Sequence, residues 1–309
     1  MKNMIQQEVG KSVVGRDREV ELLTIAMLQG GHVLLESVPG TGKTLLAKSF
    51  AKAAGGKFSR IQFTPDVLPS DVTGLHFFNP ETRKFELKEG PVMTNFLLAD
   101  EINRATPRTQ SSLLEVMEEK QVTIDGETLT SSFPFMVIAT QNPVESQQGT
   151  FPLPYAQLDR FMFKLPSEYP GFEDESSILK QWIHKEESPL ISAVVSIEEL
   201  QQAADEVRNV SVHNEITDYI LKLIRSTRSH PLIEWGASPR AAVTLLKAAQ
   251  GSAYLQGRSH IIPEDVKNLF HYVLGHRVQL TPEASLMKNT DEILTEVLKD
   301  TDAPVELRL

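Results

Sequence analysis

Gly40-Thr41-Gly42-Lys43-Thr44 places two glycines, a lysine and a hydroxyl in one short stretch, with Ser37-Val38-Pro39 between it and the apolar run His32-Val33-Leu34-Leu35-Glu36. Those residue types at that spacing suit a phosphate chain. Gly40 and Gly42 let backbone N–H groups approach the phosphates, Lys43 reaches the β and γ positions, and the Thr44 hydroxyl is a magnesium ligand. Pro39 and Leu45 complete the loop and the first helical turn. The general pattern G-x-x-x-x-G-K-[ST] asks for glycine where this chain has Ser37. Serine tolerates most turn conformations, so the departure weakens the motif without cancelling it. The bland alternative is a strand, a turn and a helix with a chance lysine.

A second chemical block is Phe96-Leu97-Leu98-Ala99-Asp100-Glu101, an apolar run ending in two adjacent acids. A buried parallel strand that delivers carboxylates at its C-terminal edge has this pattern. Downstream of a phosphate loop, Asp100 would hold the magnesium shell, through water, and Glu101 would polarise an attacking water. A third block is the apolar run Phe135 to Thr140 followed by Gln141-Asn142-Pro143. The Asn142 amide could hold that water opposite Glu101, or simply form a turn before Pro143. Further on, Asp159-Arg160 precedes a last apolar run, and Ser238-Pro239-Arg240 opens a helix.

These groups need elements to position them. Helix formers from Leu45 to Ala54 continue from the loop, so the phosphates would sit on a helix N-terminus, where orphan N–H groups and the helix dipole favour anions. Glu19 to Gln29 has helical spacing, Phe58 to Phe63 reads as a strand, and Thr109 to Lys120 as a helix. Gln121 to Thr130 alternates around Asp125-Gly126, a strong hairpin signal. The stretch Phe77 to Leu87, around Asn79-Pro80, reads equally as a second hairpin or an irregular loop. Pro166, Pro170 and Gly171 mark a composition break, which divides the chain into residues 1–170 and a helical part, 171–309. There, Ser196 and Glu199 form a capping box.

Composition narrows the possibilities. The 309 residues carry a net charge of −10, which argues against general nucleic-acid coating, and contain no cysteine, which excludes disulfides, thiolate zinc sites and cysteine nucleophiles. The N-terminus turns polar at once and no apolar run reaches membrane-spanning length, so a cytoplasmic protein without membrane contact is expected. His271 and His276 lack zinc spacing and read as helical surface histidines.

Taken together, Gln62-Phe63-Thr64-Pro65-Asp66, Ala99 to Ala105, Ala139 to Pro143, Gly149 to Pro154 and Gln157 to Phe161 resemble the MoxR family of AAA+ ATPases. The resemblance is dense from Val13 to Leu165 and continues beyond only at Ser238-Pro239-Arg240. It implies an α/β fold: a P-loop core with a five-stranded parallel sheet flanked by helices, two inserted β-hairpins, and a C-terminal all-helical lid. It also implies ATP and Mg2+ as ligands, a homo-oligomeric, hexameric ring, and chaperone-like action on a client protein, with von Willebrand A-type domain proteins as possible partners. By position, Asn142 becomes the sensor 1 residue, Arg160 an arginine finger acting on a neighbouring subunit, and Arg240 sensor 2, in cis or in trans. Val14 and Gly15 fall where the family contacts adenine. On local sequence Arg160 could equally form an ion pair with Asp159. A nucleotide-dependent binding switch and a nucleic-acid remodeller are the competing functions. Glu101 and Arg160 speak against the first, and the acidic Asp125-Gly126-Glu127 hairpin tip against the second.

Overall fold

The computed structural model describes residues 1–38, 40–142, 149–167, 169, 171–183 and 190–304. Pro39, Pro143 and Pro170, singled out above, lie outside the described residues. Two compact units are present: residues 1–153 with 165–201, and residues 154–164 with 202–309.

In the first unit the elements run α1 (Lys2–Gly10), α2 (Asp17–Leu28), β1 (Val33–Ser37), α3 (Lys43–Ala53), β2 (Phe58–Gln62), α4 (Pro69–Thr73), β3 (Gly74–Asn79), β4 (Lys84–Glu89) and β5 (Phe96–Asp100). They continue with α5 (Pro107–Glu119), β6 (Gln121–Ile124), β7 (Glu127–Thr130) and β8 (Met136–Gln141). After α6 (Tyr155–Leu158), which belongs to the second unit, come β9 (Phe163–Ser167) and α7 (Phe172–Ile183). Five strands form one parallel sheet in the order β2-β5-β8-β1-β9. Every residue of β5 is buried, as expected of a strand covered by helices on both faces. Helices α2 and α3 bring apolar residues to this core, among them Leu22, Leu23, Ile25, Ala47 and the fully buried Phe50, whose ring meets Phe96 of β5 edge-on.

Sheet order and register decide where the chemistry collects. Leu35 of β1 lies level with Thr140 of β8, and Ala99 of β5 with Ala139 of β8. Asp100, Thr140 and Leu35 therefore form one row at the C-terminal edge. The phosphate loop, Glu101 and Asn142 leave the sheet just beyond it.

Two hairpins project from this frame. In β6–β7, Asp125 and Gly126 both have positive φ, 48° and 90°, the type I′ geometry that an Asp-Gly pair accepts. In β3–β4, the register pairs Phe78 with Phe85, which leaves both rings exposed. This settles the Phe77 to Leu87 stretch as a hairpin.

The second unit holds the rest of α8 (Ile197–Arg208), then α9 (Asn214–Ser229), β10 (Ile233–Trp235), α10 (Pro239–Leu255), α11 (Pro263–Leu274), β11 (Gln279–Leu280), α12 (Pro282–Ser285) and α13 (Thr290–Asp300). Helix α9 buries Ile216, Tyr219, Ile220, Leu223, Ile224 and Thr227, a stripe at helical spacing that packs against α10, α11 and α13. Hydroxyls and one amide define helix starts, with Ser238, Thr281 and Asn289 accepting from N–H groups of the first turns of α10, α12 and α13. The expected Ser196–Glu199 box forms through both of its bonds, 2.7 and 3.2 Å. An antiparallel ribbon of β10 and β11 is the one sheet of this unit among the described residues. No helix among the described residues is long and apolar enough to cross a membrane.

Candidate active site

Helix α3 begins without a side-chain cap, because its N-cap is Gly42 at φ 79°. No side chain caps this first turn, and its N–H groups are the ones that an anion at a helix N-terminus would meet. Gly40 has φ 83°, and a Cβ added at either glycine would meet nothing within 4 Å among the described residues. Packing does not require glycine at these positions, whereas the backbone conformation and a closely approaching ligand would. Thr41 braces the loop by donating from Oγ1 to the carbonyl of Val38 at 3.2 Å. Lys43 and Thr44 are half-buried on the first turn, and Leu45 is exposed. A triphosphate on the helix N-terminus fits this cradle.

The turn bearing Val14 and Gly15 lies between α1 and α2. It is anchored beside α3 by a 3.0 Å contact between the hydroxyls of Ser12 and Ser49. Gly15 has φ 73°, and an added Cβ would come within 2.3 Å of the Asp174 carboxylate on α7.

Asp100 is buried and its two oxygens are separately engaged. Oδ1 accepts from the Thr140 hydroxyl at 2.6 Å, and Oδ2 from Arg60 Nη2 and Nε at 2.7 and 3.2 Å. The same Thr140 Oγ1 accepts from the backbone N–H of Glu101 at 2.9 Å. One fully buried hydroxyl on β8 therefore engages both the Asp100 carboxylate and the Glu101 backbone. Glu101 has φ 57°, a left-handed conformation that costs a residue with a Cβ about 1–2 kcal/mol. Its carboxylate accepts from Gln62 Nε2 at 2.9 Å and pairs with Arg104 at 3.0 Å. Arg60 and Gln62 alternate along β2 and so share one face. Asn142 is buried at the end of β8.

A buried histidine holds β8 in place. His32 Nδ1 accepts from the N–H of Val137 at 3.0 Å, which makes Nε2 the protonated nitrogen that donates to the Met117 carbonyl at 3.1 Å. Burial pushes its pKa down to about 4, so the ring is neutral.

Arg160 and Arg240 both belong to the second unit, where Asp159 is the hub. Its Oδ1 accepts from Arg277 Nε at 2.6 Å and its Oδ2 from the Ser238 hydroxyl at 2.9 Å. Asp159, the neighbour in sequence with which Arg160 could have paired, thus receives other donors on both of its oxygens. Arg277 is almost wholly buried. Desolvation pulls its pKa to about 10 against the pull of Asp159, so it stays charged at neutral pH.

His276 is a correction. It is buried rather than on a helix surface, and its Nε2 lies 2.9 Å from the Phe161 carbonyl. Burial, with the neighbouring Arg277 charge, holds its pKa well below the usual histidine range. His271 is half-exposed beside Asp291, and no metal-binding cluster occurs among the described residues.

The phosphate loop, Asp100, Glu101 and Asn142 thus meet at one sheet edge. Arg60, Gln62, Arg104, Thr140 and Arg277 join the site network without having a role readable from their local sequence. Gln62, Arg104 and Thr140 lie within the motifs that carry the family resemblance, and the alternation of Arg60 with Gln62 on a strand beside an acidic strand end is a usable signal.

Residues 32–163 match the model of the ATPase family associated with various cellular activities (AAA), and residues 225–297 match an AAA lid domain. The Bacillus subtilis protein YeaC is 45% identical over 97% of this chain and 94% of its own length. Chaperone MoxR1 of Mycobacterium tuberculosis is 41% identical over 94% of this chain and 78% of its own length. Protein MoxR of Methylorubrum extorquens is 31% identical over 97% of this chain and 94% of its own. A crystal structure of a Cytophaga hutchinsonii protein superposes with a TM-score of 0.91 at 39% identity, covering 98% of this chain and 96% of the other.

Proposed function

Since this chain belongs to the MoxR family of AAA+ ATPases, we propose that it hydrolyses Mg-ATP in a ring of its own copies and uses the cycle for chaperone-like work on a client protein. The observation that carries the chemical part is the convergence of an uncapped helix N-terminus, Asp100, Glu101 and Asn142 at one sheet edge, with Thr140 tying the two acids together.

In this reading Gly40, Thr41, Gly42 and the first turn of α3 bind the phosphates, with Pro39 completing the loop and Lys43 neutralising the β and γ positions. Thr44 and Asp100 would hold magnesium, Asp100 through water, and the ion would offset charge developing on the phosphate oxygens. Glu101 takes the role of general base toward the attacking water, and Asn142 orients that water from β8. A carboxylate in that role is worth about 10²- to 10⁴-fold in rate. Val14 and Gly15 border the adenine. Arg160 acts as a finger toward ATP in the adjoining subunit, where such a residue is worth about 10³- to 10⁵-fold. Arg240, in the first turn of α10, senses the nucleotide from the lid. A residue supplied in trans makes turnover depend on a head-to-tail interface, which closes as a ring, here a hexamer.

The relative named as a chaperone supports the chaperone-like role, and the hairpins β3–β4 and β6–β7 are the parts that would reach a client or a von Willebrand A-type domain partner. The hairpins touch each other, because His76 of β3 lies 3.0 Å from the Asp125 carboxylate at the β6–β7 turn.

The test is steady-state Mg-ATP hydrolysis per subunit over a range of protein concentrations, with Arg160→Ala and Glu101→Gln in parallel. Specific activity that climbs with concentration and vanishes in both variants supports the ring ATPase. Wild type that binds ATP yet never exceeds the Glu101→Gln background would overturn it in favour of a nucleotide-dependent binding switch.

A further inference from the structure

Between the end of α6 and the start of β9, residues 159–162 belong to neither a helix nor a strand. Their carbonyl groups therefore have no regular ladder to satisfy them, and Phe161 and Met162 are buried. Such a stretch needs donors from elsewhere or it will not hold one conformation. Arg277 supplies them. Its Nη2 donates to the carbonyls of Asp159 at 3.0 Å and Phe161 at 2.6 Å, and its Nη1 to Met162 at 3.2 Å and to Val273 at the end of α11. Nε completes the set on the Asp159 carboxylate. Guanidinium is the one side-chain group that offers five donors in a rigid fork, so no other residue type could replace this pattern. The carbonyls it grips lie on both sides of Arg160, at 159, 161 and 162. His276 approaches the Phe161 carbonyl as well. The other Asp159 oxygen receives the hydroxyl of Ser238, the N-cap of α10, two residues before Arg240. The backbone that carries Arg160 and the helix start that carries Arg240 are thus joined through a single carboxylate held by a single buried arginine.

We infer that Arg277 is the positioning residue for Arg160: its guanidinium fixes the backbone on both sides of Arg160, and through Asp159 and Ser238 registers that backbone against the start of α10. The inference rests on Arg160 acting across subunits as proposed above. Arg277 touches no reacting atom in this role. Its loss should spare nucleotide binding and strike turnover, and it should strike turnover in the neighbouring subunit's site.

Mixing tests this directly. Arg277→Met subunits keep an intact phosphate loop and Glu101 but present a loose Arg160, whereas Glu101→Gln subunits have a dead site but a properly held Arg160. Each alone is expected to show at least about a tenfold loss of kcat, with ATP affinity within about twofold of wild type, against the 10³- to 10⁵-fold worth of a finger. Mixed one to one, about one site in four pairs a working Glu101 with a well-placed Arg160, as expected for random head-to-tail assembly. Activity should therefore recover toward a quarter of the wild-type value. Arg160→Ala mixed with Glu101→Gln is the reference. If that reference fails to recover, the trans role of Arg160 falls, and this inference with it. If the reference recovers and the Arg277→Met mixture does not, Arg277 serves only its own subunit and the inference is overturned. Should Arg277→Met fail to fold, Asp159→Asn and Ser238→Ala, each tested in the same mixture, loosen the same network from its other side. If both of these variants match wild type, the inference is also overturned.

Discussion

Acidification from pH 7 to pH 5 should loosen β8 before the carboxylates titrate, and His32 sets the size of the effect. Unfolded, this histidine has an ordinary pKa of 6.5; folded, burial lowers it to about 4. The unfolded state therefore binds the proton more readily over that interval. Stability is complete above 6.5, falls as the pH drops through the window, and levels off below 4. At pH 5 the linkage amounts to about 2 kcal/mol, and at its limit about 3 kcal/mol. That is a large share of an ordinary domain's 5–15 kcal/mol. His276 is shifted in the same direction, so it adds to the slope in the second unit. Carboxylates with lowered pKa, such as Glu8 and Asp291, lose their contribution only at lower pH. Urea denaturation at pH 7 and pH 5, followed by far-ultraviolet circular dichroism, measures the total, and amide exchange in β8 isolates the first unit. His32→Asn is expected to be less stable at pH 7, but its drop between the two pH values should be about 2 kcal/mol smaller than that of wild type. Equal drops in wild type and variant would refute the reasoning, because they would mean that His32 gains no proton on unfolding.

Other perturbations probe the site. Thr140→Val removes the donor to Asp100 and the acceptor of the Glu101 N–H, and should cost about 1–3 kcal/mol together with most of the ATPase activity. Thr140→Ser keeps the hydroxyl and should recover the activity; a denaturation curve and a coupled ATPase assay on both variants decide the matter. Gly42→Ala, at φ 79° with no steric neighbour among the described residues, should lower stability by only about 1–2 kcal/mol. Calorimetric ADP titration should show a larger proportional loss of affinity in that variant, and unchanged affinity would mean that the phosphates do not approach this backbone. The two mixing and hydrolysis experiments described above complete the set.

The sheet and the first-unit site were legible because their signals are local. The β5 run, the Asp125-Gly126 pair and the Gly-Lys-Thr turn each declare their structure within a few residues. Other features were hidden for physical reasons. Helix α1 carries Lys2, Gln6 and Gln7 beside the buried Ile5 and Val9, too short and polar a pattern to stand out from a fraying terminus. Thr140 could be read as one more strand residue, since only the register of β8 against β5 shows its hydroxyl between two acids. Arg277 is unreadable from its neighbours, because every group it satisfies outside α11 lies in residues 159–162. The same distance hides the environment of His276, which sits next to a helix in sequence but is buried against the carbonyl of Phe161.

The separation of Arg277 from its partners has a meaning in time as well as in space. The Asp159 carboxylate leaves the ribosome 118 residues ahead of the guanidinium that holds it. At ordinary synthesis rates of 5–20 residues per second, that is about 6–24 s. During that interval the residues of the phosphate loop, Asp100 and Glu101 are already synthesised, but the carbonyls of residues 159–162 have no guanidinium to hold them. Chains truncated before residue 277 therefore lack the donors that hold the carbonyls of residues 159–162 on both sides of Arg160.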